Sequence, residues 1–185
     1  MTVTPLPDSI GIGDLSPSGG PRSAGLHLSA IIKALMKELE PERFGKPLDA
    51  LRAETGFAFE RALEAGFKTK FPAIYRPMEL QCDGVAMSPD GLDASDGVLE
   101  EFKCTWMSSR DCPLDKRFVH WLWQIKGYLH ALGTNRARLR VFFVNGDYKQ
   151  SGPQLLTYQL DFDDRELAEN WAMLVNYAKA KGMLP

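Results

Sequence analysis

The Asp-Gly pairs at 90–91 and 96–97 restrict the fold of this chain more than any other feature of its sequence. Asp-Gly between extended runs is a strong local signal for a tight turn between neighbouring strands. The pairs accompany short extended runs over residues 78–82, 83–87 and 98–104. We therefore predict an antiparallel meander of about three strands in this part of the chain.

Helical spacing of apolar residues dominates the sequence on either side of the meander. This spacing predicts helices over 28–39, 48–68, 114–132 and 163–181. Two further extended runs predict strands over 138–144 and 154–162. The order α-α-β-β-β-α-β-β-α predicts an α/β fold with a central mixed β-sheet flanked by helices, without strict alternation of strand and helix.

The first 24 residues differ in composition from the rest of the chain. They are rich in proline and glycine and predict an irregular N-terminal arm, which leaves residues 25–185 as a single domain. No apolar stretch is long enough for a membrane span or a secretion signal, so we expect no membrane partner. Three cysteines, an odd number, favour a reduced, cytoplasmic setting over a disulfide framework.

The charge of the chain excludes one class of nucleic-acid protein. Its formal net charge is −2 and its pI is about 5.9, whereas a passive nucleic-acid coat is usually basic. An enzyme acting on nucleic acid remains compatible with this charge. Carboxylates that hold metal ions lower the net charge, and local basic residues can compensate for them.

The residues that carry chemistry lie around the second half of the meander. Alternation along a strand places Glu101 and Lys103 on one face, and the turn at 96–97 can bring Asp90 beside them. Paired carboxylates raise each other's pKa, and a divalent cation is the usual reason for such a pair. Asp90, Glu101 and the backbone carbonyl of Phe102 are candidate ligands for one or two Mg²⁺ or Mn²⁺ ions.

Lys103 would complete such a site. A positioned lysine can orient or deprotonate the attacking water, or neutralise charge in the transition state of phosphodiester hydrolysis. The alternative interpretation is a surface hairpin with scattered charges, because Asp-Gly turns and isolated Glu-x-Lys triplets are common. The combination of these residues with an upstream proline, in Pro89-Asp90, favours the catalytic interpretation.

This combination resembles a known family. Pro89-Asp90, followed eleven residues later by Glu101-Phe102-Lys103, is similar to the motif of the PD-(D/E)XK nuclease superfamily. The sequence around this motif looks most like that of the branch that holds lambda exonuclease, YqaJ-type phage recombinases and RecB-like exonuclease domains. The resemblance covers about residues 50–132 and implies a restriction-endonuclease-like core.

Two helices carry further features of this branch. Glu60 matches an acidic position near the metals, and Gln124 with Tyr128 matches the family's Gln-x-x-x-Tyr motif. The resemblance implies that Glu60 is a third metal ligand and that Gln124 orients substrate or water. The spacing of His120, Gln124 and Tyr128 forms a polar stripe that could contact a phosphate, a base or water, or could be an ordinary helix surface.

Basic residues supply candidate DNA contacts. Arg138 alternates with Arg136 and Arg140 on one face of a predicted strand, which could follow a DNA backbone or could be a solvated outer face. Arg110 lies in the loop after Lys103, which we expect to overhang the site and to contact a DNA strand. His27, before the first helix, is a weaker candidate.

The leading hypothesis from the sequence is a Mg²⁺- or Mn²⁺-dependent deoxyribonuclease that hydrolyses phosphodiester bonds. The resemblance further implies an exonuclease of phage-type recombination or DNA processing, with a homo-oligomer and a single-strand annealing protein as expected partners. Three alternatives stay open. They are a structure-specific or restriction-type endonuclease on the same fold, a non-catalytic DNA-binding or assembly subunit, and a non-nuclease metal protein that acts on small phosphates in a closed pocket.

Overall fold

The computed structural model of the chain describes residues 24–46, 50–110, 112–149 and 152–185. The predicted N-terminal arm lies outside these ranges except for its last residue. The helices are α1 (Leu28–Leu39), α2 (Pro41–Phe44), α3 (Ala50–Lys70), α4 (Val119–Leu132) and α5 (Asp164–Ala180), with a 3₁₀ helix over Lys116–Phe118. The strands are β1 (Leu26–His27), β2 (Ile74–Tyr75), β3 (Leu80–Cys82), β4 (Val85–Met87), β5 (Gly91–Asp93), β6 (Leu99–Thr105), β7 (Arg136–Phe143) and β8 (Gln154–Asp161).

The strands of the described residues form two sheets. One has three strands in the order β1-β4-β3, and the other has five in the order β2-β5-β6-β7-β8. The larger sheet is mixed, because β6 and β7 run parallel while its other neighbouring strands are antiparallel. The predicted fold class, a mixed sheet flanked by helices, is confirmed.

The prediction of a single meander is wrong in detail. The segment instead forms two hairpins, which belong to different sheets. The β3–β4 hairpin turns at Asp83 and Gly84, which both have positive φ, 47° and 78°. The β5–β6 hairpin turns at the predicted Asp96-Gly97 pair. The Asp90-Gly91 pair lies where the chain passes from the smaller sheet to the larger one. This crossover brings Asp90 to the edge of β6.

The two faces of β6 have different neighbours. Phe102 points toward α3, where its ring centroid lies 5.5 Å from that of Phe67. Residues 101 and 103 point to the opposite face, where Lys103 reaches Gln124 on α4. The main core forms on this second face, between β7 and helices α1, α4 and α5. In the described ranges no helix is long and apolar enough to cross a membrane.

Gly133 directly follows the predicted end of α4 at residue 132 and has the left-handed conformation, with φ of 66°. An alanine there would be strained, so we expect Gly133→Ala to lower the free energy of unfolding by about 1–2 kcal/mol. Gly66 is the matched control, because it is exposed within α3 and an added Cβ would meet nothing within 4 Å. Gly66→Ala should raise stability by about 0.5–1 kcal/mol. Urea unfolding measures both, and shifts in the same direction would contradict this account.

Candidate active site

A pocket of about 520 Å³ opens beside the crossover between the two sheets. Residues of α3, β6 and α4 line it together with the segment that joins the sheets. The structure brings together in this pocket most of the site residues that the sequence predicted: Glu60, Asp90, Glu101, Phe102, Lys103, Gln124 and Tyr128.

The crossover places Asp90 against β6. Its Oδ2 accepts a hydrogen bond of 3.0 Å from the backbone N–H of Phe102. The neighbouring Gly91 makes this approach possible, because a Cβ there would lie 3.0 Å from Ile74 Cγ2 and 3.3 Å from Glu100 Cβ. Asp90 therefore owes its position to a small residue at 91 as well as to the β5–β6 pairing.

A chain of hydrogen bonds positions Lys103. Its Nζ donates to Glu101 Oε1 at 2.5 Å and to Gln124 Oε1 at 3.2 Å. The Gln124 amide in turn donates to the Tyr128 hydroxyl at 2.6 Å, and this hydroxyl lies 3.5 Å from the carbonyl oxygen of Ser88. The polar residues of α4 therefore hold the lysine, and through it the carboxylate of Glu101.

Burial and mutual repulsion shift the pKa values of the acidic groups. Burial, with the Asp90 charge adding to it, raises the pKa of Glu101 to about 8, although Lys103 opposes the shift. Burial also raises the pKa of Glu60, and Asp90 adds to that shift while Lys103 opposes it. Burial alone would lower the pKa of Lys103, but the carboxylates of Glu101, Asp90 and Glu60 outweigh it and raise this pKa above its ordinary value.

One oxygen of Glu101 is suited to bind a cation. Glu101 is 1% exposed, and its Oε2 is buried without a hydrogen-bond partner among the described residues. A buried carboxylate oxygen without a partner is costly, and oxygen is the ligand that Mg²⁺ and Mn²⁺ prefer. Within the described ranges, however, no three His, Cys, Asp or Glu side chains are grouped closely enough to hold a metal ion. Glu60 lines the same pocket as Asp90 and Glu101, so its role as a third metal ligand stays a prediction.

The raised pKa of Glu101 predicts an unusual pH dependence when metal is removed. In EDTA, folded Glu101 keeps its proton up to about pH 8, whereas the unfolded residue loses it near 4.5. The folded state then binds more protons in this window, so the free energy of unfolding should fall as pH rises from about 5 to 8. Glu60 acts in the same direction. The contribution of Lys103 is constant here, because its raised pKa matters only at higher pH.

Glu101→Gln is the matched variant for this prediction, since it keeps the shape of the side chain and cannot titrate. Urea unfolding in EDTA at several pH values from 5 to 8 should give a flatter pH dependence for Glu101→Gln than for the wild type. Equal slopes for the two proteins would show that Glu101 is already ionised in the folded, metal-free state.

Sequence reasoning missed a second ionic contact in the pocket. The guanidinium of Arg76 donates to Glu64 Oε2 at 2.9 Å and to Asp90 Oδ1 at 3.4 Å. Lys68 also donates to Glu64, at 2.6 Å. Arg76 lies in the irregular segment between β2 and β3, where no periodic pattern indicates which way a side chain points. His27, considered only weakly from the sequence, also lines the pocket.

Two predicted DNA-contacting residues lie outside the pocket. His120 packs on α2, with its ring centroid 5.3 Å from that of Phe44, and burial together with Arg43 lowers its pKa to about 4. It is therefore neutral and forms part of the packing between α2 and α4. Arg110 is exposed in the loop after β6 and does not line the pocket.

Arg138 is also absent from the pocket and has a different setting from the one predicted. It bonds to Glu100 at 3.0 Å, to Asp93 at 3.3 Å and to Asp96. Glu100 points to the opposite face of β6 from Glu101, so this cluster lies on the other side of the sheet. The predicted row of arginines does alternate on one face, but Arg136 and Arg140 are paired with carboxylates as well. These pairs are the reason that the row is not a free basic surface.

Comparison with known proteins gives a likeness in structure only. The sequence matches no family model and no curated protein. A protein named SSO0001 aligns at 15% identity over 90% of this chain and 79% of its own, with a TM-score of 0.55.

Two exonucleases are also similar in structure. The alkaline exonuclease LHK-Exo from Laribacter hongkongensis, in complex with dAMP, aligns at 14% identity over 84% of this chain and 87% of its own, with a TM-score of 0.55. A phage-related exonuclease from Haemophilus somnus 129PT aligns at 15% identity over 84% of this chain and 80% of its own, with a TM-score of 0.51. The chain thus shares its mixed α/β fold with phage-related and alkaline exonucleases.

Proposed function

We propose that this chain is a metal-dependent DNA exonuclease. One observation carries the proposal: Asp90, Glu101 and Lys103 meet in a single pocket, where a buried oxygen of Glu101 lacks a partner among the described residues. Carboxylates and an ammonium group in this relation suit hydrolysis of a phosphodiester bond. The fold shared with LHK-Exo and the Haemophilus somnus exonuclease supports a substrate of this class.

Asp90 and Glu101 would hold Mg²⁺ or Mn²⁺ together with the backbone carbonyl of Phe102. Two carboxylates are enough for Mg²⁺, which keeps several waters and binds substrate phosphate oxygens. When bound, the ion would polarise the phosphorus–oxygen bond and lower the pKa of a water molecule. Glu60 supplies further negative charge to the same pocket, and we propose it as the third acidic residue of the site.

Lys103 would act as a cation in this site. The surrounding carboxylates raise its pKa, so it is protonated at neutral pH and donates hydrogen bonds instead of accepting a proton. Of the roles that the sequence left open, this favours neutralising charge on the phosphate or orienting the water over proton abstraction. Gln124 would serve the same step by holding Lys103, and Tyr128 by holding Gln124.

We further propose that the enzyme acts at DNA ends. This preference is supported by the exonuclease neighbours and by the dAMP complex of LHK-Exo, since a pocket of about 520 Å³ is large enough for a nucleotide. A place in phage-type recombination or DNA processing, a homo-oligomeric assembly and an annealing-protein partner are further parts of the proposal. They rest on the family resemblance.

A cleavage assay on end-labelled linear DNA and closed circular DNA tests the proposal. It is run with Mg²⁺, Mn²⁺ or EDTA, and with Asp90→Asn, which removes the charge but keeps an oxygen acceptor for the Phe102 amide. Loss of linear DNA alone, abolished by EDTA and by the substitution, is the expected result. Cleavage of circles as well would assign an endonuclease. Intact DNA binding without cleavage of either substrate would leave a non-catalytic binding subunit.

A further inference from the structure

Arg76 joins two acidic residues at the edge of the pocket. Its guanidinium contacts Asp90 Oδ1 at 3.4 Å and Glu64 Oε2 at 2.9 Å, while its side chain remains 54% exposed. Arg76 belongs to neither helix nor strand, and its guanidinium is positioned by contacts with Glu64 on α3 and with Asp90. A guanidinium has five N–H donors in a planar fork, of which these contacts use few.

Arg76 contacts the oxygen that a cation would need. The other oxygen of Asp90, Oδ2, already accepts the N–H of Phe102, which leaves Oδ1 as the oxygen contacted by Arg76. A divalent ion held by Asp90 and Glu101 would repel a guanidinium at Oδ1, because both carry positive charge. The contact of Asp90 with Arg76 and its contact with a metal ion therefore oppose each other.

We propose that Arg76 is a phosphate-binding residue that Asp90 retains until a divalent cation takes this carboxylate. The inference rests on the proposed nuclease function and extends it. Glu64 keeps Arg76 at the pocket after the exchange, and the donors released from Asp90 are available for a phosphate oxygen of DNA. Metal binding and DNA binding are thereby coupled through one side chain.

The coupling predicts changes of opposite sign for Arg76→Ala in two binding experiments. Mn²⁺ titrated into the full chain, followed by calorimetry, should bind about two- to fivefold more tightly to the variant, since a competing cation is gone. A short labelled DNA duplex in Ca²⁺ should bind roughly tenfold more weakly, since a charged hydrogen bond to phosphate is lost. In EDTA the same duplex should bind the variant and the wild type about equally.

Arg61→Ala is the matched control. Arg61 has the same charge and lines the same pocket from α3, but in the described part of the chain it forms no ion pair with Asp90. Its loss should weaken DNA binding by the same factor in Ca²⁺ and in EDTA, and so leave the effect of metal on DNA affinity unchanged. By linkage, the metal ion changes the affinity for DNA by the same factor as DNA changes the affinity for the metal ion. Arg76→Ala must therefore reduce both factors equally.

Two results would overturn the inference. One is a loss of DNA affinity in Arg76→Ala that is equal in Ca²⁺ and EDTA, and the other is a gain in Mn²⁺ affinity no larger than that of Arg61→Ala. Neither result depends on cleavage. Normal cleavage by the wild type with either result would reject the role of Arg76 and keep the nuclease. Coupled binding without cleavage by the wild type would reject the nuclease and keep the coupling.

Discussion

Lys103→Ala is expected to lower the rate of DNA cleavage by roughly 10²- to 10⁴-fold. Lys103 donates to both Glu101 and Gln124, and its raised pKa keeps it charged in the pocket where phosphate charge would develop. Alanine removes this cation and leaves the Glu101 carboxylate without its ammonium partner. Single-turnover cleavage of end-labelled linear DNA at saturating Mg²⁺ measures the loss in the chemical step.

Lys126→Ala separates this effect from a general loss of structure. The two lysines are alike in exposure, 14% and 16%, and each makes one close ion pair with a glutamate, at 2.5 Å and 2.6 Å. Lys126 lies on α4 like Gln124, but its partner is Glu166 on α5, and it does not line the pocket. Lys126→Ala should therefore keep near-normal cleavage. Equal losses of activity in the two variants would assign Lys103 a structural role instead of a role in cleavage.

The parts of the fold that the sequence predicted are those with a long local pattern. Helix α1 was predicted over 28–39 and has these bounds, because apolar spacing over three turns and Pro41 define both its face and its end. The end of α4 at Gly133 was predicted for a similar reason, since the left-handed residue is a local requirement. Strands β1, β2 and β5 have only two or three residues, which is too short for alternation to be visible.

The site shows the same limit at the level of single residues. Alternation along β6 and four-residue spacing along α4 indicate the faces of Glu101, Lys103, Gln124 and Tyr128, and these faces meet in the pocket. The same alternation groups Arg138 with Arg140, but their partner Glu100 is distant in the sequence. Arg76 and Glu64 are likewise joined to Asp90 only by the folded chain. Spacing indicates the direction of a side chain, whereas its partner depends on tertiary packing.

We expect Glu100→Ala to lower the free energy of unfolding more than any other substitution for which we predict a change in stability. Glu100 is fully buried and accepts hydrogen bonds from Arg140 at 2.6 and 3.1 Å and from Arg138 at 3.0 Å. Glu100→Ala would leave Arg140, which is 11% exposed, without its carboxylate partner. Removing one partner of a buried pair costs about 3–5 kcal/mol, because the remaining charge is uncompensated. Urea unfolding at neutral pH measures the change.

Asp161→Ala is the control for Glu100→Ala on the same sheet. Asp161 pairs with Arg136 at 2.6 Å, but both side chains are about half exposed, 51% and 52%, so its loss should cost at most about 1 kcal/mol.

The role of Arg138 in the cluster around Glu100 can be tested by Arg138→Ala. A phosphate contact there would make Arg138→Ala reduce the salt dependence of DNA binding by about one ion with little loss of stability. Because Asp93, Asp96 and Glu100 already neutralise Arg138, we expect the reverse: lower stability and an unchanged salt dependence.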